Sequence, residues 1–524
     1  MLILNNLADY FHNKIVFAIL VNFVLLVVLL AINRKYLKEV FLKINKITWI
    51  SLVVVFLGAL FLRMYLPVHS HILYIDEFWY MEAGKNILFH GSQDYYPKFI
   101  GWPFILSIAF GIFGVSNWVA INTSIFFGAL SIFAVFFTVF LITEDAPAAL
   151  LSSALFSLLP IHIRWSATAE TNVTSLFFIL LTVFLCFLYF EYKEESLLWL
   201  AFSSIAFTSQ IRSENYFLFP LFIITFLIYG RDILKRINLR FLLPIFIFAA
   251  ISLPNFIQSI NFQMATNWIS NDTQGYEAGS NWSLANLLHN SLAYGVDLFN
   301  GRYYPAVLLL FIISGFIYLF YKKRKAWLFL MIWFISFWLI YFTSWFQTLG
   351  ARERFYLSFY PIIIIFIVYG IFFISQVLSF KKKWIDMGVR TFLFAVIIFL
   401  FIPYIQAYAK MYSDDAHVLE ANLPELAGKN IPANCTIVAN LPTILRSTTN
   451  LSFVDADLFL KNDEVQKDVL GFDCALFLED YTCSGWDQQS FTNCKEIKSR
   501  FLLKEYQSYS KGRIRYKFYN ISEK

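Results

Sequence analysis

Apolar runs close to the length of a bilayer core recur along this chain from residue 15 to residue 406. A helix needs about 20 apolar residues to cross a hydrocarbon core of ~30 Å. Within lipid such a run must satisfy its own backbone groups, which a helix does. Charged residues make up only 15% of the 524 and hydrophobic ones 59%, whereas soluble domains carry about a quarter charged. The fold class expected is therefore a polytopic α-helical membrane protein. The first run, 15–32, is long, lacks a small-residue cleavage site and is followed by "NRKYLK", so it is expected to stay as a span.

Basic clusters set the topology. They lie at Arg34 to Lys46, Arg231 to Arg240, 321–325 ("YKKRK") and 381–383 ("KKK"). Short loops rich in Lys and Arg stay cytoplasmic, so an even number of spans must separate each pair. The two later intervals hold two runs each, but the first holds seven. Its weakest run, "GWPFILSIAFGIFGVS" at 101–116, is short and broken by Pro103, Gly111 and Gly114. It is expected to be a juxtamembrane helix that stays outside. That leaves about 12 spans, an external amino terminus, and external loops at 67–117, 164–172, 210–215, 258–302 and 347–355. The net charge of +6 comes from the clusters between spans. It reports topology and does not point to nucleic acid.

Residues 1–409 are expected to form the membrane module and 410–524 a small extracytoplasmic α/β domain. In the tail, "CTIVAN", "LSFVD", "DCALFLED" and "RIRYKFYN" look like strands, with helical stretches near 461–470 and 493–504. Four of the five cysteines lie there, and an even count in an external domain reads as two disulfides. Three pairings are open. Cys435–Cys474 with Cys483–Cys494 is preferred, because Cys435 and Cys474 each open a strand. Cys186, inside a run, reads as a packing residue.

The ionisable groups outside the runs gather in the loops assigned to one face. "YIDEFWYMEAGKNIL" puts Asp76 and Glu77 beside Tyr74, Phe78, Trp79 and Tyr80. Adjacent carboxylates repel, and one of a buried pair becomes more basic, as a general base for a hydroxyl requires. Glu170 in "SATAETNV" reads either as the helix-start acid of the next span or as a third carboxylate for the site. The three together could hold a divalent cation. Arg212 and Glu214 in "SQIRSENYF", Arg352, Glu353 and Arg354 in "ARERFYL", Lys98 in "YYPKFIGWP", Arg164 and Arg302 are also external. Guanidinium groups there suit a phosphate held at the membrane surface. Taken singly, each arginine also fits snorkelling at a span end. His69 and His71 read as interfacial rather than as metal ligands. Asn-X-Ser/Thr triplets at Asn271, Asn281, Asn434, Asn450 and Asn520 agree with an external placement.

With these residues in place the chain resembles the GT-C glycosyltransferases, a superfamily that includes the dolichyl-phosphate-mannose protein mannosyltransferases and the aminoarabinose transferases. The acidic pair before "WYMEAGKNIL" is similar to the family's first external loop. "YPKFIGWPFILSIAFGIF" is similar to its juxtamembrane segment, and "LLPIHIRWSATAETNVTSLFF" to the loop with its second acid. "IRSENYFLFP" and "RERFYLSFYP" resemble its later arginine-bearing stretches. The likeness runs over about 47–370; residues 1–46 add a span, and Pro97 stands before Lys98 where the aminoarabinose branch has an acid. The resemblance implies a sugar donor on a polyprenyl or dolichyl phosphate, a protein or lipid acceptor, and inversion at the anomeric carbon. It implies that Asp76 deprotonates the acceptor. Glu77 and Glu170 would orient the acceptor, stabilise charge on the sugar or hold a metal. Arg212, Arg354 and Lys98 would stabilise the departing phosphate, with Glu214 and Arg352 beside them. The site and tail would face away from the cytoplasm.

Two other classes fit the composition. A transporter or lipid flippase would place ionisable groups near the bilayer midplane, whereas these runs keep theirs at the ends. A non-catalytic scaffold would make the acidic pair dispensable.

Overall fold

The computed structural model describes residues 14–66, 75–92, 99–230, 239–265, 284–293, 295–299, 303–343, 352–379, 382–410, 423, 425–440, 443–449, 451–484, 488–511 and 514–524. The first helices are α1 (Ile15–Ile32), α2 (Arg34–Leu42), α3 (Lys46–Tyr65), α4 (Ile75–His90), α5 (Gly101–Phe113), α6 (Asn117–Thr143), α7 (Ala146–Ser157) and α8 (Pro160–Ser166). Then come α9 (Thr171–Tyr192), α10 (Glu195–Ser209), α11 (Leu218–Tyr229), α12 (Leu239–Ala265), α13 (Leu284–Ala293), α14 (Leu308–Lys322), α15 (Arg324–Thr343), α16 (Tyr360–Leu378) and α17 (Lys383–Lys410).

Among the described residues seven of these helices are long and apolar enough to cross a membrane: α1, α3, α6, α9, α15, α16 and α17. The pair α7 and α8, bent by 62° at Leu158 and Leu159, makes an eighth if it counts as one span. The polytopic helical class is what the sequence implied, but the twelve expected spans do not all reach spanning length. Helices α10 and α14 have 15 residues each, a rise of about 22 Å. Both fall short of a ~30 Å core; helix α5, in the run expected not to cross, has 13 residues, a rise of about 20 Å.

The chain divides into two compact units. One comprises Met1–Pro67, Tyr95–Phe104 and Asn122–Lys410; the other comprises Val68–Asp94, Ile105–Ile121 and Met411–Lys524. The second unit thus takes in α4 and most of α5, so it is larger than the segment 410–524 alone.

In the first unit, polar side chains and glycines fix the helices where apolar packing alone would let them slide. Asn22 of α1 accepts from Ser203 of α10, and Asn33 just beyond α1 exchanges bonds with Ser196. Helices α14 and α16 cross at glycines: a Cβ on Gly315 would lie 1.8 Å from the Phe366 carbonyl oxygen. One on Gly370 would lie 2.0 Å from the Phe311 carbonyl oxygen. Small residues permit this backbone approach in membrane helices.

In the second unit the tail builds a sheet in the order β2-β1-β3-β5-β4, from β1 (Thr436–Ala439), β2 (Ser452–Asp455), β3 (Ala475–Glu479), β4 (Phe501–Lys511) and β5 (Ile514–Glu523). Strands β2, β1 and β3 run parallel, and β5 pairs antiparallel with β3 and β4. The short helices are α18 (Thr443–Arg446), α19 (Ala456–Lys461), α20 (Asp463–Leu470) and α21 (Gln488–Arg500). Helices α19 to α21 pack Phe459, Val469 and Ile497 on Val438, Phe477 and Phe501. The expected helix over 493–504 instead ends at Arg500, and Phe501 opens an unforeseen fifth strand. Long-range pairing with β5 decides those residues, which local pattern does not show. Thr436 stands opposite Ala475, so Cys435 and Cys474 lie side by side with Cα atoms 4.5 Å apart and are bonded. Cys483 is bonded to Cys494. Cys186 is free and buried in α9.

Candidate active site

Glu170 occupies the N-cap position of α9, yet its side chain caps nothing. The helix-start role therefore does not explain it. Its carboxylate is 1% exposed and accepts from Arg354 Nη1 at 2.7 Å and from Asn172 Nδ2 at 3.3 Å. A carboxylate this buried needs such partners. Asn172 Oδ1 accepts in turn from Arg212 Nη1, and Arg212 Nε donates to Glu214. Glu214 Oε1 also accepts from the Tyr341 hydroxyl at 3.2 Å. The Phe355 ring has both guanidinium carbons at 5.2 Å from its centroid, Arg212 and Arg354 alike, within cation–π range. One polar network thus joins the start of α9, the 3₁₀ turn Ser213–Phe217, the end of α15 and the 3₁₀ turn Arg352–Ser358.

Backbone contacts hold these loops. Gly101 N donates to the Gln210 carbonyl at 2.8 Å, and a Cβ on Gly101 would meet that oxygen at 2.6 Å. Glycine is therefore required there. Trp102, fully buried, donates from Nε1 to the Ala169 carbonyl at 2.7 Å, one residue before Glu170. Asn215 Nδ2 bonds Ser175 Oγ and the Thr208 carbonyl.

In the second unit Asp76 and Glu77 lie in the first turn of α4, where carboxylates complement the helix dipole. They do not share one environment. Glu77 is fully buried, while Asp76 is partly exposed. Phe78 and Tyr80 are buried beside them. Further along α4, partial burial pulls the Lys85 ammonium below its ordinary pKa, opposed by Glu82.

Of the site residues read from the sequence, the structure joins Glu170, Arg212, Glu214 and Arg354, and places Asp76 and Glu77 on α4 in the other unit. Lys98, His69, His71 and Arg302 lie outside the described residues, as do the side chains of Arg352 and Glu353. Among the described residues, no three His, Cys, Asp or Glu side chains stand together as a metal site.

Several contributors carry no sequence signal. Tyr341 is one of 29 tyrosines and sits in an apolar run; only packing brings it to Glu214. Arg63 stands in the last turn of α3, and nothing local shows what it meets. Fully buried, it donates to the carbonyls of Ala59 and Ser157 and lies 2.7 Å from His162 Nδ1. Ser157 ends α7, so the guanidinium caps the carbonyl end of that helix, at the bend before α8.

A bundle of apolar helices with a small carboxyl-terminal sheet domain is a GT-C-like fold, shared with the solved structures that the chain resembles. Residues 98–257 match the family model described as dolichyl-phosphate-mannose-protein mannosyltransferase. ArnT from Cupriavidus metallidurans, solved bound to undecaprenyl phosphate, is 13% identical. Its TM-score is 0.54 over 91% of this chain and 98% of that one. The Archaeoglobus fulgidus oligosaccharyltransferase in the apo form is 11% identical, with a TM-score of 0.54 over 89% and 74%. The same organism's AglB, with an inhibitory peptide and a dolichol phosphate, is 11% identical, with a TM-score of 0.52 over 91% and 74%. No curated protein matches by sequence.

Proposed function

We propose that the protein is an integral membrane glycosyltransferase that moves a sugar from a polyprenyl phosphate to an acceptor hydroxyl, with inversion. The buried network Arg354–Glu170–Asn172–Arg212–Glu214 carries this reading. Two guanidiniums are held in fixed orientation by acids and an aromatic ring. Such pre-organised forks suit a phosphate better than mobile surface arginines do. In this reading Arg212 and Arg354 face the lipid phosphate as it departs. Among the described residues two guanidiniums pair with two carboxylates in this network. The leaving phosphate gains negative charge, which a further cation would stabilise, a role we give to Lys98.

Asp76 accepts the acceptor's hydroxyl proton as its oxygen attacks the anomeric carbon. The bond to the phosphate oxygen breaks, and its electron pair leaves with the lipid phosphate. Asp76 is the exposed member of the acidic pair and can reach an acceptor; buried Glu77 tunes its basicity. Glu170 orients the sugar side of the site. In this reading the chain lies in the cell membrane, with site and tail on the extracytoplasmic face. The likeness to structures holding undecaprenyl phosphate and dolichol phosphate supports the donor class. Purified protein should carry a polyprenyl-phosphate sugar detectable by mass spectrometry, and should pass that sugar to a hydroxyl acceptor. Protein that binds no such lipid and transfers no sugar from any polyprenyl-phosphate donor would refute the reading.

A further inference from the structure

Helix α4 carries the acidic pair in its first turn and, two turns later, a set of contacts to the tail within the same compact unit. Arg446 Nη1 donates to Glu82 Oε1 at 3.3 Å. Lys85 Nζ donates to the Arg446 carbonyl at 3.2 Å and to the Thr449 carbonyl. These carbonyls belong to the last residue of α18 and the turn after it, where a helix leaves acceptors without internal partners. Around them Leu445, Ser447 and Thr449 are buried. The Arg446 side chain is 42% exposed and that of Glu82 14%, so the ion pair alone is weak. The ammonium–carbonyl bonds are charge-assisted and sit on a partly buried lysine. A continuous helix transmits that anchoring over the nine residues back to Asp76.

We propose that the tail domain positions the catalytic acid. Lys85, through the carbonyls of Arg446 and Thr449, and Arg446, through Glu82, lock α4 in the frame of the sheet domain. Neither residue touches the reacting atoms. The inference rests on Asp76 being the base.

The test uses the full chain in membranes or nanodiscs. Lys85→Met and Arg446→Glu should each lower kcat by about 10–10²-fold, the loss that misplacement of a catalytic group by about 1 Å brings. The donor KM and the thermal midpoint of the protein should stay close to the parent's. Adding Glu82→Arg to Arg446→Glu should recover most of kcat. Single variants as fast as the parent, or a swap that recovers nothing, would overturn the proposal. Should these variants fail to fold, Glu82→Cys with Arg446→Cys decides instead, joined by a reducible bis-methanethiosulfonate reagent that spans the length of the two replaced side chains. A cross-link that forms and leaves transfer intact supports the lock. No cross-link, or a cross-link that abolishes transfer restored by reduction, overturns it. A parent chain that transfers no sugar at all refutes the function, and the cross-link alone then shows whether the tail holds α4.

Discussion

Arg354 and Glu170 lie 184 residues apart in the chain, yet Nη1 and Oε1 meet at 2.7 Å, with the two side chains 10% and 1% exposed. Breaking a buried pair from one side leaves an uncompensated charge, at about 3–5 kcal/mol. Arg354→Ala should therefore lower the thermal midpoint of the purified protein markedly. The double variant Arg354→Met with Glu170→Gln should recover much of that loss while transferring no sugar. Equal midpoints for parent and Arg354→Ala would show that the pair is not load-sharing in solution.

Asp76→Asn should keep the fold and the bound lipid and lower turnover by at least ~10²-fold, the usual contribution of a positioned base. Glu77→Gln should be milder if Glu77 tunes its neighbour, as proposed, and severe if Glu77 holds a metal or the acceptor. The measurement is single-turnover sugar transfer beside lipid content by mass spectrometry. An Asn variant at parental speed would remove Asp76 from the mechanism.

The glycine crossing of α14 and α16 gives a stability prediction independent of function. Gly315→Ala places a methyl 1.8 Å from the Phe366 carbonyl oxygen, so the helices must separate. The expected cost is about 1–3 kcal/mol, seen as a lower denaturation midpoint in detergent. Gly58→Ala, on α3, meets nothing within 4 Å and should leave the midpoint unchanged.

The tail's two bridges close segments of different length, 39 residues for Cys435–Cys474 and 11 for Cys483–Cys494. Chain entropy makes the longer loop the more stabilising, within about 2–4 kcal/mol each. Cys435→Ser with Cys474→Ser should lower the tail's unfolding midpoint more than Cys483→Ser with Cys494→Ser. Non-reduced peptide mapping checks the bonds themselves; four free thiols would reject them.

The sequence by itself determined the helical membrane class, since runs of the length and apolarity of Ile15–Ile32 and Tyr360–Leu378 admit little else. It also separated the tail, because charge and turn residues return abruptly near residue 410. It pointed to Glu170, Arg212, Glu214 and Arg354, because charges beside apolar runs stand out. Tertiary structure decided what those charges do. Glu170, at its helix start, directs its carboxylate to Arg354 and Asn172 rather than to the helix N–H groups, and Tyr341 and Phe355 join from elements that no local pattern links to it. Structure also decided that Phe501–Lys511 is a strand and that α4 groups with the tail. The physical reason is common to all of these. Hydropathy and spacing report the solvent each residue prefers, which is a local property. Which carboxylate meets which guanidinium, and which strand finds which partner, follows only when distant segments pack.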